Sequence, residues 1–221
     1  MALICGIDEA GRGPLIGPLV IAGVLIEEKD NEIFRTIGVK DSKQILPTTR
    51  ARLFGQIKSI VKKYEIIQVS PAEIDTAVLS KTTNLNWLEA EKSAEIIAKL
   101  EPDIAILDCP SNNTAAYKNY VSGELRKKGI TKIKLIVEHK ADQNYPSSAA
   151  ASILAKVTRD EEIEKLKKKV KHDFGSGYPS DPKTQKFLRE NYKEFRDIFR
   201  KSWSSVQQLY AAKSQTKLGS F

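Results

Sequence analysis

Leu3-Ile4-Cys5-Gly6-Ile7-Asp8-Glu9-Ala10-Gly11-Arg12-Gly13-Pro14 carries the chain from a short apolar run, through two adjacent carboxylates, into a loop punctuated by glycine. The run Leu3 to Ile7 reads as a buried strand, being short, apolar and bounded by turn-forming residues. A strand that ends in acids delivers them to the edge of a sheet. The same design recurs downstream: Asp103-Ile104-Ala105-Ile106-Leu107-Asp108 is a second apolar run closed by a carboxylate, and residues 133–137 form a third, with Asp142 a short connection beyond. Three acidic strand ends can therefore converge at one edge.

Working outward, residues 19–26 and 64–69 have strand composition. Leu53, Ile57, Ile60 and Val61 recur at helical spacing, as do Leu85, Leu88, Ile96, Ile97 and Leu100. Tyr117, Tyr120, Val121 and Leu125 mark a further helix, and the Ala-rich segment 147–169 another. Strands dominate early and helix then alternates with strand, which predicts an α/β fold: a mixed five-stranded sheet flanked by helices. From Pro182 the chain reads as helical and basic, with Phe187, Leu188, Tyr192, Phe195 and Phe199 available for packing. The expected organisation is a catalytic domain over 1–180, a helical C-terminal addition over 181–212 and a flexible tail over 213–221.

The 221 residues, 41% hydrophobic, suffice for one substantial core. Lys and Arg outnumber Asp and Glu by 36 to 28, and the net charge of +8 favours a polyanionic partner. No stretch approaches the ~20 apolar residues of a membrane span and no signal-peptide pattern opens the chain, so a soluble cytoplasmic protein is expected. Cys5 and Cys109 form neither a disulfide framework nor a zinc site. No interface motif is visible, and a monomer is the expectation.

Asp8, Glu9, Asp108 and Asp142 are the candidate catalytic set. Packed carboxylates resist ionisation unless a cation neutralises them, and hard oxygen donors without His or Cys suit Mg²⁺ or Mn²⁺. Two such ions can activate water and stabilise the leaving oxygen at a phosphodiester. His139, Lys156 and Arg159 receive no role. A dinucleotide-binding reading of Gly11-Arg12-Gly13 fails, because the third fingerprint glycine would fall on Ile16 and Asp8 and Glu9 would repel a pyrophosphate. An ATPase on a related core, or a non-catalytic nucleic-acid-binding module, is the remaining alternative.

The segment Gly6 to Pro14 resembles the opening signature of the ribonuclease HII family, in its archaeal form. Asp41-Ser42-Lys43, Leu107-Asp108, Lys140-Ala141-Asp142 with Ala149 to Asp160, and Gly175 to Pro182 resemble its later blocks, in order. The resemblance implies a ribonuclease H-like fold and cleavage of the RNA strand of RNA/DNA hybrids. It also implies cutting 5′ to ribonucleotides embedded in duplex DNA. It makes Asp8, Glu9, Asp108 and Asp142 metal-binding catalytic carboxylates, and Gly11, Arg12 and Gly13 the loop contacting the ribose. Lys43 becomes a phosphate contact and Tyr178 the ring stacking on the next deoxyribose. Glycine permits close backbone approach, and the 2′-hydroxyl is what separates RNA from DNA. The last residues, Gln215-Thr216-Lys217-Leu218-Gly219-Ser220-Phe221, resemble a sliding-clamp-binding box with Gln215, Leu218 and Phe221 as contacts, shortened by one aromatic.

Overall fold

Strands β1 (Leu3–Ala10), β2 (Leu19–Glu27), β3 (Lys63–Val69), β4 (Ile104–Asp108) and β5 (Lys134–Glu138) form one five-stranded sheet, ordered β3-β2-β1-β4-β5, in a computed structural model that describes residues 2–209. β1 pairs antiparallel with β2 and parallel with β4, and β4 pairs parallel with β5, so the expected mixed sheet is present. The helices are α1 (Asp30–Ile37), α2 (Pro47–Ile60), α3 (Pro71–Leu79), α4 (Leu85–Leu100), α5 (Thr114–Lys127), α6 (Ala141–Asn144), α7 (Pro146–Val170) and α8 (Pro182–Asn191). No helix among the described residues is long and apolar enough to cross a membrane.

Several details differ from the sequence reading, which has no counterpart for the helices α1, α3 and α6. β1 does not stop at Ile7: its pairing with β2 continues through Asp8↔Ala22 and Glu9↔Ile21 to Ala10↔Val20, so the two acids are strand residues. The start of α3 is nonetheless chemically marked. The Ser70 side chain accepts the Glu73 amide, the Glu73 carboxylate accepts the Ser70 amide, and Pro71 occupies the first turn, which together form a capping box.

Packing groups the chain into two compact units that interleave along the sequence. Of the described residues, the first contains 2–10, Val20–Gln68 and Leu85–Thr158; the second contains Gly11–Leu19, Val69–Asn84 and 159–209.

In the first unit, side chains alternate across the sheet. Ile4 and Ile106 enter a core with Val20, Ala22, Val24 and Ile26 of β2, Leu53 and Ile57 of α2, and the run Ala149–Ala155 of α7. On the other face, Gly23 lies beneath Ile96 and Leu100 of α4. Small residues matter where α7 crosses β1: a Cβ on Gly6 would stand 2.2 Å from the Ser147 carbonyl carbon and 2.3 Å from the Ser148 nitrogen.

In the second unit, the aromatic residues anticipated for packing form the core. Phe187, Leu188, Tyr192 and Phe199 are buried with Leu15, Ile16, Ile163, Val170 and Phe174. The 3-10 turn Arg196–Ile198 leads into an isolated bridge between Phe199 and Ile16, and the Arg200 amide donates to the Leu15 carbonyl at 2.9 Å. Buried Asp75 of α3 accepts the amides of Lys201 and Ser202 at 2.9 and 2.8 Å.

Helix α7 rests on β1 backbone to backbone, leaving no space for a methyl group. Gly6→Ala is therefore expected to cost about 1–3 kcal/mol of stability. The change should appear as a lower urea midpoint at unchanged m-value.

Candidate active site

The parallel register Ile7↔Leu107 brings the next residues of β1 and β4, Asp8 and Asp108, side by side where the pairing of the two strands ends. Both follow the alternation that sends Ile4 and Ile106 toward α7, so both acids face that helix. Glu9, one residue on, starts from the opposite face. One oxygen from each of Asp8, Glu9 and Asp108 nevertheless lies within 4.8 Å of the others. Asp8 is buried and held by neutral donors, the Glu9 amide at 2.7 Å and the Ser152 hydroxyl of α7. Burial, the neighbouring Glu9 charge and then that of Asp108 push its carboxyl well above the ordinary range, against those two hydrogen bonds.

Asp142 stands outside that trio but is tied to it. It sits on α6, whose first amide, from Ala141, donates to Asp108 Oδ1 at 2.9 Å. Its carboxyl is also raised, by burial first, then by the charges of Asp41 and Asp108, while Lys43 opposes them. Asp41 is a buried neighbour that the sequence reading passed over in favour of exposed Lys43. It caps the turn Ser42–Gln44 by accepting the Lys43 amide at 2.9 Å, and it hydrogen-bonds Asp142. Ser42 in turn pairs with Ser152 at 2.9 Å, linking the Asp41 turn to the hydroxyl that serves Asp8. The only sequence signal for Ser152 is a serine that interrupts the apolar run Ala149–Ala155 of α7.

The trio is all carboxylate oxygen, partly buried, with like charges forced together. A hard divalent cation such as Mg²⁺ or Mn²⁺ fits that donor set, since it neutralises charge that the protein's own neutral donors leave uncompensated.

In the second unit, the Gly11–Gly13 loop is fixed from below by a residue that sequence reading missed. Buried Arg200 donates to the carbonyls of Gly11 at 2.6 Å, Arg12 at 2.8 Å and Gly17 at 3.1 Å. The Trp203 indole donates to the Gly13 carbonyl at 3.2 Å. Gly11 has φ +90° and no room for a side chain, because a Cβ would meet Arg159 Nε at 2.3 Å. Arg159 is 1% exposed, its guanidinium lies 5.3 Å from the centre of the Tyr178 ring, and its Nε and Nη2 have no hydrogen-bond partner among the described residues. Tyr178 is 36% exposed, with its ring edge 3.8 Å from where a Gly13 Cβ would be. Thus Gly11, Gly13 and Tyr178 come together, as do Asp8, Glu9 and Asp108. Gln215, Leu218 and Phe221 lie outside the described residues. His139 is exposed, with Nδ1 3.1 Å from the Cys109 carbonyl oxygen, and both cysteines are free.

Comparison with known proteins agrees with this architecture. The family model described as Ribonuclease HII matches residues 5–206. The Ribonuclease HII of Pyrococcus furiosus is 49% identical over 225 aligned positions, covering 99% of this chain and 97% of that protein. The crystal structure of the ribonuclease H2 from Pyrococcus horikoshii superposes with a TM-score of 0.85 at 41% identity, covering 96% of this chain and 99% of that one. A second solved structure, the PCNA:RNase HII complex from Archaeoglobus fulgidus, gives 0.80 at 42% identity over 91% of this chain and 95% of its own. Fold and site define a hydrolase of the ribonuclease H-like class. The chain belongs to the ribonuclease HII family and is a ribonuclease H, an endonuclease that hydrolyses phosphodiesters.

Because the folded pKa of Asp8 is raised, the native state binds its proton more tightly than the unfolded chain does. Metal-free stability should therefore fall as pH rises from the ordinary carboxyl range through the raised value. Asp8→Asn is expected to flatten that decline and to raise the metal-free Tm at neutral pH. It should also abolish the Tm increase that Mn²⁺ gives the natural protein, as read by calorimetry.

Proposed function

We propose that this chain cuts the RNA strand of RNA/DNA hybrids and incises duplex DNA 5′ to an embedded ribonucleotide, leaving 3′-hydroxyl and 5′-phosphate ends. The observation that carries the reading is the buried Asp8 carboxylate gathered with Glu9 and Asp108 within 4.8 Å where the pairing of β1 with β4 ends. Asp8, Glu9, Asp108 and Asp142 would hold two Mg²⁺ or Mn²⁺ ions. When bound, such a pair supplies Lewis acidity for water attack on the phosphodiester and for departure of the 3′ oxygen. The protein's share is placement. Ser152 and the Glu9 amide orient Asp8, and the Ala141 amide orients Asp108.

Substrate selection falls to Gly11, Arg12, Gly13, Lys43 and Tyr178. Arg200 and Trp203 occupy the carbonyls of Gly11, Arg12 and Gly13, so recognition of a 2′-hydroxyl is assigned to the loop's amides. Tyr178, exposed beside Gly13, supplies a face for the following deoxyribose. Lys43 is exposed next to the Asp142 turn and supplies charge for a phosphate. The same reading assigns the chain to DNA replication and repair. The ATPase and non-catalytic alternatives give way to the family assignment.

The test is an end-labelled duplex DNA carrying one ribonucleotide. One cut on its 5′ side, dependent on Mg²⁺ or Mn²⁺ and lost on chelation, is expected. Asp8→Ala and Asp108→Ala should each lower kcat by at least about 10³-fold while retaining hybrid binding, a loss on the scale of removing one charge-stabilising group from an active site. Unchanged cleavage by either variant overturns the assignment.

The Archaeoglobus relative was solved with PCNA, and the terminal sequence here carries Gln215, Leu218 and Phe221 at clamp-box spacing. We propose that these residues dock on a sliding clamp as a short turn inserting Leu218 and Phe221 into an apolar pocket. Deleting residues 215–221 is expected to weaken clamp binding roughly tenfold or more, given the energy concentrated in such anchors. Cleavage of short duplexes should be unaffected; unchanged clamp affinity removes the proposal.

A further inference from the structure

Three adjacent strands bring a carboxylate to the same edge of the sheet, but of Asp8, Asp108 and Glu138 only the first two lie in the metal-capable trio. Asp8 lies on β1 just past its last pairing with β4, Asp108 closes β4, and Glu138, in register with Asp108, closes β5. Glu138 has other work. Its Oε1 accepts the Tyr145 hydroxyl at 3.0 Å and its Oε2 accepts the Asn144 side-chain Nδ2 at 3.5 Å. Both donors belong to the far end of α6, the turn that carries Asp142.

That turn needs support. α6 is four residues long, too short to be stable by itself, and it starts without a side-chain cap from Lys140, a non-glycine residue in the left-handed region at φ 59°. What fixes it is the pair of strand ends beneath it. Asp108 accepts the Ala141 amide at the front, and Glu138 accepts Tyr145 at the back. The Tyr145 amide returns to the Ala141 carbonyl at 2.9 Å, and the Tyr145 carbonyl accepts the Ala149 amide at 3.0 Å, joining the turn to α7. Tyr145 is half-buried, and the bond to Glu138, followed by burial, raises its hydroxyl above the ordinary tyrosine pKa.

We propose that Glu138 and Tyr145 form a strut that positions Asp142 for metal binding, with Glu138 acting as a hydrogen-bond acceptor and not as a ligand. The inference rests on the reading of Asp142 as a metal-binding carboxylate. Partners that orient a ligand commonly affect metal affinity by one to two orders of magnitude, and this strut acts one step further out.

The experiment is direct Mn²⁺ titration by calorimetry and by electron paramagnetic resonance of the free ion, on the full chain without substrate. Asp142→Asn comes first: if it leaves Mn²⁺ binding unchanged, the reading of Asp142 fails and the strut with it. If Asp142→Asn weakens binding, Tyr145→Phe is expected to raise the Mn²⁺ Kd by roughly threefold to tenfold, and KM for a hybrid substrate at saturating metal should not move. Glu138→Ala should match Tyr145→Phe, and the double variant should be no worse than either. Glu138→Gln keeps the acceptor without the charge and should stay within about twofold of the natural protein.

An unchanged Kd in Tyr145→Phe overturns the strut. So does Glu138→Gln as weak as Glu138→Ala, which would make Glu138 a contributor of field alone. Both side chains are only partly buried, so folding should survive, and a circular dichroism melt of each variant verifies it.

Discussion

The structure depends on the parallel pairing of β1 with β4 in the register that sets Ile7 beside Leu107. A slip of one residue would turn Asp8 away from Asp108 and drive a carboxylate into the face that α4 covers, because side chains alternate along a strand. The register is held by what lies upstream of the acids. Ile4 and Ile106 pack into the α7 core, and Gly6 lets that helix approach the strand closely enough for Ser152 to reach Asp8. Hydrophobic packing thus supplies the force that crowds like charges, and the crowding gives the site its appetite for a cation.

The second unit shows a comparable arrangement with opposite charge. Arg159 is buried without partners among the described residues for two of its nitrogens, against the Gly11 turn and over Tyr178, while Arg200 spends its guanidinium on loop carbonyls. A buried guanidinium that is incompletely hydrogen-bonded lowers stability. Strain and unsatisfied polarity collect where function is assigned, at the carboxylates and at the glycine loop, and the two apolar cores offset them. Two of the interior positions with no room for a side chain are glycines: Gly6 against the backbone of α7, Gly11 against Arg159.

Much of the fold was legible because strands and helices carry periodic signals. All five strands, α4, α5, α7 and the aromatic packing of the C-terminal region follow the pattern of apolar residues. Helix α3 was missed although Ser70, Pro71 and Glu73 spell its start, because its apolar residues are few. Helix α6 was missed because a single turn has no period. The packing of residues 11–19 and 69–84 with residues 159–209 could not be read from order along the chain. It is made by long-range bonds such as those from Arg200 to Gly11 and from Ser202 to Asp75.

By itself the sequence determined the chemistry: which acids end which strands, which loop is glycine-rich, and a set of blocks sufficient to place the chain in its family. Those are local properties of residue type and spacing. Tertiary structure alone decided which acids meet. It gathered Asp8, Glu9 and Asp108, set Asp142 beside Asp41 on a separate turn, and gave Glu138 to Tyr145 instead of to the trio. Composition could not separate these roles, because a carboxylate's function depends on burial and neighbours, and both are fixed only when distant segments pack.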